Sequence, residues 1–291
     1  MTDPTSINLV SLSASIADVV ARTAPALVSV HSHRSRGSGF FWKPGLVVTC
    51  DEALADEGEV SIMLADGTER HAHIAGRDHT TDIALLRVDA PSHGLATLTA
   101  ALPALGSLAL VVAAQRGAPT ASFAMVSLVG ERWRSLRGGE IDARIELDAR
   151  LRQSQQGGLA ADASGQIVGM AVLGPRRVIV IPSATIERVA ARLESHGRIA
   201  RGYLGVGLQR VRLDDGVGAM VMSLDKQGPA AAAGIRQGDV ITALNDEKLS
   251  GVRSLARALG PDSVGTVVDV AVSRAGEPVH FKLTIGERPQ P

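Results

Sequence analysis

Histidines are the residues of this sequence whose type and spacing first suggest chemistry. His31 and His33, and again His71 and His73, stand two residues apart in segments that we predict to be strands. This spacing places both imidazoles of a pair on one strand face, where they could bind a metal ion. Exposed strand histidines are more common, and no further ligand stands at a spacing typical of a metal site. We therefore predict no metal ion and no cofactor.

The composition is that of an ordinary globular protein. The 291 residues include 30 basic and 30 acidic side chains, and 45% of the residues are hydrophobic. A net charge of zero argues against nucleic-acid binding, and the single cysteine, Cys50, excludes an internal disulfide. The sequence contains no uncharged apolar stretch of about 18 residues, the length that a membrane-spanning helix needs. Because the N-terminus lacks the basic region of a secretory signal, we expect a cytoplasmic protein.

Short apolar segments bounded by Gly, Pro and Asp predict a mostly β structure. Between residues 24 and 182 they follow one another at near-regular spacing, which is typical of an all-β barrel or sandwich and suits two small barrels. Apolar residues at helical spacing predict a helix over 8–22. A second helix over 183–195 is expected to begin with Ser183 as its N-cap.

Four segments follow from this pattern. We expect an N-terminal helical segment (1–23), a first domain (24–182), a helix with a linker (183–202) and a second domain (203–287). In the second domain we expect strands near 204–211, 218–223, 239–244 and 267–273, with helices near 229–234 and over 252–260.

Several ordered motifs in the first domain resemble the trypsin-like protease domain of the HtrA (Deg) family. They are Gly37-Ser-Gly-Phe40 with Gly45-Leu-Val-Val-Thr49, then Thr81-Asp-Ile-Ala-Leu85, and then Gln156-Gly-Gly-Leu159. The second domain resembles the PDZ module of that family, because it carries Tyr203-Leu-Gly-Val206 and Gly238-Asp-Val-Ile241. The resemblance implies a trypsin-like double β-barrel followed by a PDZ domain, which is β-sandwich-like with two helices.

The resemblance also implies where the catalytic Ser, His and Asp would stand. The family histidine follows the Thr of the first motif by three residues, a position that is Glu52 here. The family serine precedes the paired glycines, a position that is Gln156 here, whereas the aspartate is kept as Asp82. The family oxyanion hole uses the N–H groups at positions 154 and 156.

The replacements remove two of the three groups that peptide hydrolysis by a triad needs. A glutamine side chain is no nucleophile, and Glu52 would face Asp82 where an imidazole normally lies. We therefore predict no competent catalytic residue and a protein that is not an enzyme, an HtrA-like pseudo-protease. The alternative is an active serine endopeptidase with a displaced triad, for which Ser154 is the nearest hydroxyl to position 156.

The PDZ part keeps the residue types that bind a peptide. In such domains a peptide C-terminus adds as a strand beside one strand and one helix, and its carboxylate is bound by loop N–H groups. The residues that we expect at this groove are Arg201, Tyr203, Leu204, Gly205, Val206, Leu208, Leu255 and Leu259.

The predicted function is therefore peptide or protein binding in a regulatory or quality-control role. The expected partners are protein or peptide C-termini, or an active HtrA relative, with no nucleic acid. Family members form trimers through N-terminal segments that often carry aromatic residues, and residues 1–39 contain none, so a homo-oligomer stays open. Family members are mostly exported, which makes the periplasm the alternative to the cytoplasm.

Overall fold

The computed structural model describes residues 8–33, 35–55, 58–213, 216–260 and 263–289. By its internal contacts the chain divides into two units, residues 1–198 and 199–291. The first seven residues of the predicted N-terminal segment lie outside the described residues.

The first six strands close into a barrel in the order β1-β2-β3-β6-β5-β4. Its core is filled by side chains such as Val28, Val30 and Ile62. The first strand, Leu27–Ser32, is buried on both faces over most of its length, whereas in Val60–Met63 buried residues alternate with partly exposed ones. This alternation is the period of a strand with one buried face. The strands are β1 (Leu27–Ser32), β2 (Ser35–Lys43), β3 (Leu46–Thr49), β4 (Val60–Met63), β5 (Glu69–Asp78) and β6 (Ile83–Val88).

A second closed barrel follows, in the order β11-β14-β13-β12-β7-β8. Small and branched apolar side chains fill it, among them Val111, Ile145 and Val180, as a sequence poor in aromatic residues requires. Its strands, with the short hairpin β9–β10 that precedes β11, are β7 (Leu108–Gln115), β8 (Ala118–Gly130), β9 (Trp133–Arg134), β10 (Glu140–Ile141), β11 (Arg144–Asp148), β12 (Gly158–Asp162), β13 (Ile167–Leu173) and β14 (Val178–Pro182).

Two helices belong to the first unit, α1 (Leu9–Thr23) and α2 (Ser183–His196). The Asn8 side chain caps α1 by accepting a hydrogen bond from the Val10 N–H at 2.9 Å. Ser183 is not the N-cap of α2 that we predicted: Pro182 holds that position. The Ser183 hydroxyl is buried and donates to the Ile167 carbonyl at 3.1 Å, which uses its polar group in tertiary packing.

The second unit is built on an antiparallel sheet in the order β16-β17-β18-β20-β21, with β19 paired to β18 and a separate β15–β22 pair. Its two helices are α3 (Pro229–Ala232) and α4 (Val252–Ala258). The strands are β15 (Gly202–Tyr203), β16 (Val206–Leu213), β17 (Gly216–Leu224), β18 (Val240–Leu244), β19 (Glu247–Lys248), β20 (Val267–Arg274), β21 (Glu277–Thr284) and β22 (Gly286–Glu287). The mostly β fold, with two barrels and a following PDZ-like unit, confirms the predicted class.

Candidate functional site

Two of the three triad positions are hydrogen-bonded to each other. Glu52 lies in the 3₁₀ turn Asp51–Ala53 after β3, and Asp82 directly precedes β6 with a positive φ of 59°. Because β3 and β6 are neighbours in the barrel, the Glu52 N–H reaches the Asp82 carboxylate, with 2.9 Å between N and Oδ1. The Asp82 carboxyl therefore orients the turn by binding its backbone.

Burial changes the acid–base behaviour of Asp82. Its pKa is raised from 3.8 to about 7. Removal of the carboxyl from water is the main cause, and the nearby Glu52 and Asp51 carboxylates add to it, against the hydrogen bond from the Glu52 N–H and the charge of Arg137. A carboxyl with this pKa is partly protonated at neutral pH. Such a group can both donate and accept a proton.

We expect Asp82→Asn to change the pH dependence of stability. The folded protein keeps a proton on Asp82 that the unfolded chain releases above pH 3.8. The stabilisation is therefore fully present below that pH and is lost as the pH rises through about 7. A neutral Asn avoids this loss, so the variant should gain on the wild type between pH 5 and pH 8, by up to about 3 kcal/mol. Urea unfolding at both pH values measures it, and parallel pH profiles would contradict it.

The Glu52 side chain points away from Asp82 to a salt bridge. Its Oε1 accepts from the Arg137 guanidinium at 2.8 Å, and both side chains are about half exposed. Arg137 lies between β9 and β10 and also donates to the His79 carbonyl at 3.2 Å. The hairpin is thus held over the segment that precedes Asp82.

Gln156 is buried in a hydrogen-bond network of its own. Its side-chain Oε1 accepts from the Leu173 N–H at 3.2 Å, and its carbonyl accepts from the Ser38 N–H at 2.7 Å. Among the described residues, no hydrogen bond or ion pair joins its side chain to Glu52 or Asp82. Gln156 therefore serves as a structural link between the two barrels.

The backbone before Gln156 forms the 3₁₀ turn Gln153–Gln155. In this turn the Gln156 N–H donates to the Gln153 carbonyl at 3.1 Å. The resemblance assigns this N–H to an oxyanion hole together with the N–H of position 154. Here the Gln156 N–H is already hydrogen-bonded to the Gln153 carbonyl. The turn must open before this N–H could bind a substrate oxygen.

The sequence reasoning missed a charged cluster beside Asp82. Asp51 is almost fully buried, with 2% of its side chain exposed, and its two oxygens bind Arg77 Nε and His79 Nδ1. Its N–H donates to the Asp82 carbonyl at 3.3 Å. A carboxylate on Nδ1 is the arrangement that orients an imidazole. No spacing in the sequence predicts it, because residues 51 and 79 meet only through the barrel.

The PDZ-like unit offers an edge for strand addition. Strand β16 ends the sheet and pairs with β17 on one side, and its other side carries no strand among the described residues. An unpaired strand edge is the site at which an extended peptide adds. The side chains of Val206 and Leu208 on this strand are partly buried and pack against the core, as does Leu259 at the end of α4.

The loop before β16 presents free backbone donors. Gly205 has a φ of +79°, which an L-residue rarely adopts, so the loop needs glycine there. The Leu204 and Gly205 carbonyls accept from Ala230 and Asp225, whereas the N–H groups of Leu204 and Gly205 have no acceptor among the described residues. Unpaired N–H groups that follow one another in a turn form an anion site.

The other residues that we predicted for the peptide groove lie in the core or form hydrogen bonds within the domain. Leu204 and Leu255 are each 1% exposed and belong to the core of this unit. The Tyr203 hydroxyl donates to Asp225 at 2.9 Å, and this hydrogen bond raises the pKa of Tyr203. The Arg201 carbonyl accepts from the Arg288 N–H at 2.8 Å.

In the described part of the chain, no three His, Cys, Asp or Glu side chains are placed so that they could hold a metal ion. None of its helices is both long enough and apolar enough to cross a membrane.

Comparisons with known proteins identify both units. The trypsin-like peptidase domain family matches residues 37–170, and the PDZ domain family matches residues 202–285. A probable periplasmic serine endoprotease DegP-like from Brucella suis is 32% identical over 88% of this chain and 53% of that protein. One of the same name from Bartonella henselae is 31% identical over 94% of this chain and 58% of that protein. The chain thus spans about half the length of these curated relatives.

Solved structures show the same fold along almost the whole chain. A serine endoprotease from Yersinia pestis superimposes with a TM-score of 0.73 and 25% identity, over 94% of this chain and 98% of that one. The HtrA-type protease AlgW with a decapeptide has a TM-score of 0.73 at 23% identity, over 94% and 99%. The second likeness shows the fold alone.

Two of our expectations are wrong in the light of these relatives. We expected no enzyme, but the relatives that match most of the chain are named serine endoproteases, which points to an enzyme. We expected a cytoplasmic protein, but the same relatives are named periplasmic. The reasoning failed because it judged activity from two side chains and location from a missing signal. Domain order, chain-wide identity and fold agree: the chain carries a trypsin-like peptidase domain followed by a PDZ domain and is similar to HtrA-type proteases along most of its length.

Proposed function

We propose that this chain is an HtrA-type serine endoprotease of the periplasm whose PDZ domain binds the C-termini of its protein substrates. The observation that carries the binding half is the free N–H pair of Leu204 and Gly205 at the head of an unpaired strand edge. A terminal carboxylate provides the anion for these donors, and the rest of the peptide continues along β16 as an added strand. The HtrA-type protease AlgW has also been solved with a tripeptide, which supports peptide binding by a chain of this fold.

The carboxylate should account for much of the affinity. We expect a peptide with a free, apolar C-terminal residue to bind the full chain at least about tenfold more tightly than its C-terminal amide, because hydrogen bonds to a charged group contribute about 1.5–3 kcal/mol. Fluorescence anisotropy with the matched acid and amide peptides measures the ratio. Equal affinities, or no binding of either peptide at millimolar concentration, would rule out C-terminus recognition.

A matched pair of variants tests the groove itself. Leu208 is partly buried on β16, and the next residue, Gln209, is exposed and points to the other face of the strand. Leu208→Ser should weaken binding of the acid peptide, whereas Gln209→Ser should leave it unchanged. If both variants bind like the wild type, the peptide does not lie along this strand.

Hydrolysis requires groups other than those at the family's serine and histidine positions. Gln156 has no hydroxyl, and the Ser38 hydroxyl is buried and bonded to the Ala114 and Ser154 carbonyls. This leaves Ser154, which is partly buried, as the nearest hydroxyl along the chain. The imidazole that a carboxylate already orients beside Asp82 is His79, on Asp51. We propose Ser154 and His79 as the groups on which hydrolysis depends.

Turnover of casein by the purified chain tests this half of the proposal. We expect cleavage above a mock-purified control, and its loss in both Ser154→Ala and His79→Gln. Ser164→Ala, at an exposed turn of the second barrel, is the control that should retain the wild-type rate. Absence of cleavage would remove hydrolysis from the proposal without touching peptide binding. Cleavage that survives both substitutions would reject the two residues.

A further inference from the structure

Two arginines follow the apolar residues on one face of β16. In the pairing of β16 with β17, Leu208 lies opposite Val221. Arg210 lies opposite Ala219, and Val221 and Ala219 are both buried in the core of this unit. Residues directly opposite each other in an antiparallel pair point to the same face. Arg210 therefore continues the face of Leu208, and so does Arg212, two residues further along the strand.

These two arginines give the strand edge a positive charge. Both are exposed, beyond the point where the apolar residues Val206 and Leu208 end. Among the described residues, neither guanidinium has a hydrogen bond or an ion pair. Strand β16 and helix α4, which contact each other, contain two arginines each and no Asp or Glu. In a chain whose net charge is zero, this is a local excess of positive charge.

The direction of an added peptide follows from the position of its carboxylate. The N–H groups of Leu204 and Gly205 directly precede β16, so a peptide whose carboxylate they bind runs antiparallel to this strand. When its last residue lies opposite Val206, the residue four positions upstream lies opposite Arg210. The residue six positions upstream then lies opposite Arg212, and both point to the face that carries the guanidinium groups.

We propose that the PDZ unit selects protein C-termini that carry Asp or Glu four and six residues upstream of an apolar last residue, and that Arg210 and Arg212 determine this preference. The inference rests on the proposed function, because it needs a peptide bound along β16. A carboxylate opposite either arginine forms a cross-strand ion pair, whereas a lysine there is repelled. The substrates recognised by this unit are therefore acidic just before their apolar C-terminus.

Binding of three matched peptides to the full chain tests the preference. The peptides share a free, apolar C-terminal residue and carry Glu, Gln or Lys at the two upstream positions. By fluorescence anisotropy at low ionic strength, we expect the Glu peptide to bind about fivefold more tightly than the Gln peptide, since each exposed ion pair contributes little by itself. The Lys peptide should bind more weakly than both. The ratio should shrink at about 0.5 M salt, because salt screens exposed charges.

Variants assign the preference to particular residues. Arg210→Gln and Arg212→Gln should each lower the ratio between the Glu and Gln peptides, and the double variant should bind both peptides equally. An unchanged affinity for the Gln peptide shows that the variants are folded. Lys282→Gln is the matched control, because Lys282 is exposed on β21, the strand at the opposite end of the sheet order. It should keep the wild-type ratio.

The C-terminal amide of the Gln peptide separates two kinds of failure. If acid and amide bind alike, or no peptide binds, C-terminus recognition fails and this inference fails with it. If the acid binds more tightly than the amide but the Glu, Gln and Lys peptides bind alike, only the acidic preference is rejected. A preference for Glu that survives the double variant would reject Arg210 and Arg212 as its source.

Discussion

Gly157→Ala is expected to destabilise the first unit by about 4 kcal/mol or more, a loss in the range of severe core mutations. Gly157 has a φ of +83°, and a Cβ atom there would lie 2.0 Å from the Ser38 carbonyl oxygen. That oxygen also accepts from the Thr49 hydroxyl at 2.7 Å, so the backbone of β2 is not free to move away. Both the conformation and the contact therefore require glycine.

Gly67→Ala separates these two causes. Gly67 has nearly the same φ, +81°, but a Cβ atom there would meet nothing within 4 Å. Its substitution should cost only the left-handed conformation, about 1 kcal/mol. Urea unfolding followed by tryptophan fluorescence reports on the first unit, since Trp42 and Trp133 both lie in it. Similar losses in the two variants would show that the close contact at Gly157 is relieved.

Asp51→Ala is expected to destabilise the same unit by about 3–5 kcal/mol, the usual cost of removing one partner from a buried ion pair. The Asp51 carboxylate is buried between Arg77 and His79, and the Arg77 side chain is itself only 16% exposed. The substitution removes the Asp51 carboxylate from the Arg77 guanidinium in a site of low dielectric. Asp51→Asn, which keeps one acceptor oxygen, should lose less.

A surface ion pair provides the control for Asp51. The Asp148 carboxylate binds Arg177 at 2.6 Å, and both side chains are half exposed or more. Exposed pairs contribute about 0–1 kcal/mol, so Asp148→Ala should change stability little under the same unfolding conditions. If Asp51→Ala lowers the free energy of unfolding no more than Asp148→Ala does, the buried cluster around Asp51 does not stabilise the fold.

Local pattern predicted the elements of this chain well. The helix expected over 8–22 is Leu9–Thr23, and the strands expected near 218–223 and 239–244 are Gly216–Leu224 and Val240–Leu244. These elements are set by hydrophobic periodicity, which is a property of neighbouring residues. Local pattern predicted the first residue of a helix less well than the helix itself. Ser183 has the residue type of an N-cap, yet its hydroxyl donates to the Ile167 carbonyl of β13 in the tertiary structure.

The candidate sites were predictable only in part. Motif order predicts Glu52, Asp82, Gln156 and the loop at Gly205 as the family positions, because residue identity and spacing can be read directly, and their roles stay predictions. The partners of these residues could not be read in the same way. Nothing local indicates that Gln156 accepts from Leu173 or that Glu52 binds Arg137, 85 positions further along the chain.

The sequence by itself determined the fold class, the order of the two domains and the residue types at the family positions, because each depends on local periodicity and motif spacing. Tertiary structure alone decided which distant polar groups meet. Barrel closure brings Asp51 to His79, and strand register brings His31 within 3.9 Å of Glu69. The physical reason is that a strand specifies which of its own faces is buried, whereas its neighbours and its register follow from packing the whole barrel.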